Sequence, residues 1–154
     1  MIKRINPIVP ILVLAITLIM VSFKYKTLLD EHSRQQTNIN AVFKKDLSAA
    51  RNLFAESFLT NEYSVNYNYN QAQSQIVSAF QLFQFTTYAD SNNGLMEPLD
   101  NLSNIMMRDE YKEIVMKKSN LIYQDLSQLT INPDDKQATE KLVKLIEEII
   151  PKRS

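Results

Sequence analysis

The sequence predicts an all-α protein: an N-terminal transmembrane helix followed by an antiparallel bundle of about four helices. Three observations carry this expectation. Residues 8–23 form an apolar run, and 19 uncharged residues separate Arg4 from Lys24. Glycine occurs once, at Gly94, and proline only at positions 7, 10, 98, 133 and 151, so residues 11–93 contain neither. Sheet proteins need turn residues every ~8–12 positions, and this chain does not supply them. Beyond residue 38, apolar residues recur at steps of three and four, the amphipathic helical period.

The first element is the apolar run. As a helix, 19 residues span about 28 Å, close to the ~30 Å hydrocarbon core of a bilayer. A cleaved signal peptide would need small residues at its end. Here the run closes on Val21, Ser22 and Phe23, followed by Lys24, Tyr25 and Lys26. A buried core helix would carry one apolar stripe, whereas residues 11–16 and 18–21 are apolar all round. Residues 5–23 therefore read as an uncleaved signal-anchor in contact with membrane lipid. Pro7 and Pro10 fall in its first turns, where a missing N–H is tolerated. Lys3 and Arg4 precede the run, while Lys24, Lys26 and Arg34 follow it, so positive charge nearly balances across the span. A short basic tail ahead of the first apolar run favours the N-terminus inside, giving a single-pass protein of the cell membrane with an extracytoplasmic C-terminal domain. The expected organisation is an anchor with its basic tail over 1–26, a polar helical stalk over 27–38, and a helical bundle domain over 39–154.

Composition narrows the function. The chain has 154 residues, enough for one domain with a real core beyond the anchor. After residue 23 there are 15 bases against 17 acids, so no basic surface for nucleic acid is expected. The absence of cysteine rules out a disulfide framework and a thiolate metal site.

The bundle elements follow in order. Ile39, Phe43, Leu47, Ala50, Phe54 and Phe58 mark a first stripe. The Asn/Tyr-rich stretch 60–70 breaks the period and reads as a connection, because asparagine competes with the helix through local hydrogen bonds. A second helix is expected over 71–88, with Ala72, Ile76, Ala79, Phe80 and Phe83 inward, ending at the turn 90–94. A third stretch runs over 95–129 on Leu95, Leu99, Leu102, Met106, Tyr111, Ile114, Val115, Leu121, Ile122, Leu126 and Leu129, with a break where its phase slips near 108–110. Asn132 as N-cap and Pro133 at the first position start the last helix, which carries Ala138, Leu142, Leu145, Ile146 and Ile149 and stops at Pro151. Lys152 and Arg153 suit the negative end of its dipole.

Residues with chemistry to offer are few. His32, the one histidine, sits beside Asp30 and Glu31 in the polar stalk and reads as a solvated residue. The acids at 109, 110, 113, 134, 135, 140, 147 and 148 lack the Glu-x-x-His motif of carboxylate-bridged metal sites. Glu113 with Lys117, and Glu140 with Lys144, are instead spaced as exposed ion pairs. Met106, Met107 and Met116 read as core filler rather than an adaptable binding face. No nucleophile–base pair or glycine loop appears, so neither an enzyme nor a cofactor or metal site is expected.

One feature stands apart. Residues 63–89 contain no Asp, Glu, Lys, Arg or His, 27 positions in a row. A helix uncharged all round is either buried or covered by a partner. Leu82, Phe85, Ser78 and Gln81 fall on the side away from the expected core and form a candidate interface for a protein partner or for self-association. The expected function is contact, as an accessory or scaffold subunit of a membrane or envelope assembly. The alternative is a bundle that senses a small molecule between its helices.

Overall fold

The computed structural model describes residues 8–56 and 62–150, without the side chains of residues 8–11, 13, 56 and 62–64. The described chain is helical, with no strand. Helix α1 is Ile8–Glu56, α2 is Glu62–Phe83 and α3 is Tyr88–Ser91. A 3₁₀ turn, Asn93–Leu95, leads into α4 (Met96–Met106), α5 (Asp109–Lys117), α6 (Ser119–Ile131) and α7 (Lys136–Ile149). The chain divides between Thr37 and Asn38 into two units.

In the first unit, α1 exposes Leu12, Leu14, Ile16, Leu18, Ile19 and Phe23, each at least half accessible. Among the described residues no helix is long and apolar enough to cross a membrane. Of the expected span 5–23, residues 5–7 and the side chains of 8–11 and 13 lie outside the described residues, which leaves eleven described side chains.

The second unit is a helical bundle around one core. From α1 come Phe43, Leu47, Ala50 and Phe54, at the three- and four-residue steps that put them on one face. Helix α4 packs against α2, α5 and α7, burying Leu99, Leu102, Ile105 and Met106. Helices α6 and α7 pair along their length, and run antiparallel: Lys118, just before α6, bonds Glu148 near the end of α7 at 2.7 Å.

Several expectations need correction. The Asn/Tyr stretch is helix from Glu62 onward rather than a connection. Tyr69 continues the buried series Ala72, Ile76, Ala79 and Phe83. Burial of that stripe overrides the weak helical preference of asparagine, as tertiary context commonly does. Helix α2 also ends earlier, at Phe83, because the Thr86 hydroxyl donates to the Phe83 carbonyl at 2.7 Å. The Asn40 side chain then holds Thr87 twice, accepting from its backbone N–H at 3.0 Å and donating to its hydroxyl at 2.8 Å. The stretch 95–129 breaks at extended Arg108, where its phase slip predicts a break, but breaks again at Lys118, so it forms three helices. The second break resets the helical phase, so Leu121 faces out at 45 % exposure while Ile122, Leu126 and Leu129 face in. Finally, α7 is capped by Asp135 rather than Asn132. The Asp135 carboxylate accepts from the Gln137 and Ala138 backbone N–H groups, while Pro133 is buried in the preceding turn. Phe80, expected in the core, is half-buried against it. Phe58, Pro151, Lys152 and Arg153 lie outside the described residues.

Candidate partner interface

Helix α2 turns Tyr69, Ala72, Ile76, Ala79 and Phe83 into the core. Its flanks are half-buried, including Gln71, Gln75, Val77, Ser78, Phe80 and Leu82. What remains exposed is Asn66 and a narrow strip, Tyr67, Asn70, Ser74 and Gln81 at helical spacing, with Gln84 and Phe85 in the turn beyond. From Tyr67 to Gln81 the strip runs about 21 Å. It carries no charge, and an exposed aromatic stands at each end, Tyr67 and Phe85 both at 58 %.

The four residues expected at the interface do not share one helical face. Gln81 is exposed and Leu82 is half-buried. Phe85 lies off the helix, in a turn closed by its backbone N–H donating to the Leu82 carbonyl at 2.9 Å. Ser78 is drawn inward, where its hydroxyl donates to the Asp46 carboxylate of α1 at 2.6 Å. Asp46 is itself buried beside Phe43 and Leu47, so this bond satisfies an acid that would otherwise sit poorly solvated. Burial therefore accounts for the lack of charge around Ser78, but not for its lack along Asn70, Ser74 and Gln81.

Sequence reasoning missed Tyr67, because the stretch around it was expected to be a loop. The available signal was its spacing of three, seven and fourteen from Asn70, Ser74 and Gln81.

At the start of α2, Tyr69 is buried and its hydroxyl has no partner among the described residues. Burial, helped by the negative charge of Asp109, pushes its pKa up to about 12. The Lys112 ammonium of α5 lies 5.2 Å from the centre of its ring, a cation–π distance. The phenol therefore stays neutral and acts as a packing group there.

The other polar residues place simply. His32 is exposed on α1. Glu113 and Lys117 close an exposed pair at 2.6 Å, which holds the Glu113 carboxyl below its usual range. Among the described residues no group of three or more His, Asp or Glu comes together to hold a metal ion. No protein-family model matches the chain, and neither a characterised protein nor a solved structure matches it.

Proposed function

We propose that this chain is a single-pass, membrane-anchored helical protein that acts by protein–protein contact, as an accessory or scaffold subunit of a membrane or envelope assembly. The observation that carries the contact reading is the uncharged exposed strip of α2 between Tyr67 and Phe85. Freely solvated helix faces usually carry Lys or Glu. Interface cores are depleted in charge and enriched in aromatics, and Asn, Ser and Gln supply adaptable hydrogen bonds around them.

The anchor reading rests on the 19 uncharged residues between Arg4 and Lys24. The apolar side chains exposed all round on α1 between Leu12 and Phe23 add to it. Such a surface is matched by lipid rather than by water. The short basic tail with Lys3 and Arg4 ahead of the apolar run favours the N-terminus inside and the C-terminal unit outside the cytoplasm.

Two measurements test these parts separately. A photo-crosslinking residue at Gln81 or Phe85, activated in native membranes, should give one discrete adduct, and the same residue at Glu97 or Lys136 should give none. Equal labelling from all four positions would defeat the interface. For the anchor, external protease should remove a C-terminal tag from intact cells. A protected tag beside a cleaved external control would reverse the orientation, and a mature chain beginning after residue 23 would remove the anchor.

A further inference from the structure

Helices α6 and α7 leave a groove of about 350 Å³ along their shared outer side. Asp125 lines it from α6, between Leu121 and Gln128, and Lys141, Lys144 and Leu145 line it from α7. We propose that this groove binds a small zwitterion of the amino-acid kind, with its primary ammonium on Asp125 and its acid group on Lys141 and Lys144. The inference goes beyond the contact reading and does not depend on it.

The argument starts from Asp125. It is only 9 % exposed, yet it stands in mid-helix on a stripe of core residues. No hydrogen bond or ion pair from a described residue reaches its carboxylate; the charge acting on it is Lys141. The backbone N–H groups around it are committed to the helix, so its acceptor capacity is left to whatever occupies the groove. Burial raises its pKa and Lys141 opposes that rise. A buried acid of this kind is stabilised by a donor that brings positive charge, and a primary ammonium brings three donors.

The rest of the lining selects among cations. Lys141 and Lys144 would repel a simple amine or a polyamine, and they favour an occupant that also carries an acid group. Glu148 does not cancel them, because it is held by Lys118 at 2.7 Å. Leu121, 45 % exposed, offers apolar surface to a side chain, and the buried Leu145 lines the groove beside it. The volume lies at the lower end of small-molecule sites, about 300–1,000 Å³, which suits one small molecule. The soluble amino acids and the ethanolamine phosphate headgroup share this pair of charges.

The test uses the full chain in detergent micelles and follows backbone amide shifts of α6 and α7. L-leucine should produce saturable shifts. 3-Methylbutylamine, which lacks the acid, and 4-methylpentanoate, which lacks the ammonium, should each bind about tenfold more weakly or worse. O-phosphoethanolamine forms a second arm, and tighter binding of it than of leucine assigns the site to the headgroup. Asp125→Asn should weaken the better probe by about tenfold or more, and Lys144→Met should do so too, whereas Glu140→Gln should not. Lys144 is exposed, so its variant keeps the test open even if Asp125→Asn perturbs the fold. Absence of saturable shifts with both zwitterions up to about 20 mM would overturn the proposal. So would equal binding by the amine alone, or unchanged binding in a folded Asp125→Asn or Lys144→Met protein.

Discussion

Replacing Phe43 by alanine tests the packing of the bundle at its most connected aromatic. Phe43 is fully buried on α1, with its ring centre 5.6 Å from that of Phe83 and 5.9 Å from that of Tyr88, tilted at 48° and 40°. One side chain thus joins α1 to the end of α2 and to α3. Truncation removes the transfer free energy of the ring and leaves a cavity that three helices would have to close, which costs about 3–5 kcal/mol. Spread over a chain of this size, that lowers the melting temperature by roughly 10 °C or more. Denaturant unfolding followed by helical circular dichroism measures it directly. The double variant with Phe83→Ala isolates the pair, and its coupling should be about 0.5–1.5 kcal/mol. A loss under about 1 kcal/mol for Phe43→Ala, with no coupling to Phe83, would show that the α1–α2–α3 junction is not packed as described.

Other substitutions separate the remaining claims. Phe85→Glu should abolish the crosslinked partner while changing stability by no more than about 0.5 kcal/mol, since Phe85 is 58 % exposed; strong destabilisation, or wild-type partner binding, would defeat the interface. Asp135→Ala should cost about 1 kcal/mol through loss of the α7 cap, whereas Asn132→Ala, whose side chain accepts one N–H at 3.3 Å, should cost less; the reverse order in thermal melts would restore Asn132 as the cap. The folded-state pKa of Asp125 lies above its ordinary value. Between the two pKa values the folded chain therefore binds more protons than the unfolded chain, and stability falls as pH rises from about 4. Lys141, Lys144 and Glu148 share that groove with it. Without ligand, Asp125→Asn should raise the melting temperature at pH 7 and reduce its fall between about pH 4 and pH 7; a lower melting temperature at pH 7 would refute it.

How far the sequence could be read depended on whether one periodic signal acted alone. Helix α7 was legible because its apolar stripe, from Ala138 through Leu142 and Ile146 to Ile149, is unbroken and faces one core. The α1 stripe through Phe43, Leu47 and Phe54 was legible for the same reason. At residues 62–70 two signals conflicted. Asparagine spoke for a loop, while Tyr69 at three residues before Ala72 spoke for a helix, and tertiary burial decided for the helix. The end of α2 was not legible, because it depends on Asn40, 47 residues earlier in the chain than Thr87. The break at Lys118 lacks glycine or proline, so no turn residue marks it in the sequence. Of the candidate interface, Gln81 and Phe85 were legible from the missing charge, whereas Tyr67 required knowing that its stretch was helical.

Two acids show where pattern reading stops and chemistry begins. Asp46 falls on the stripe of Phe43, Leu47 and Ala50, and Asp125 on that of Ile122, Leu126 and Leu129. Both interrupt an apolar face, and both are 9 % exposed. From spacing alone they are equivalent. The fold answers the first, bringing the Ser78 hydroxyl of α2 to 2.6 Å of its carboxylate. It opens a groove at the second and supplies no donor among the described residues. A carboxylate buried in a helix pair is expensive unless something pairs with it, and at Asp46 the chain provides that partner itself. At Asp125 the donor has to come from solvent or from a ligand. Lys141 and Lys144 then decide what charge that ligand carries at its other end.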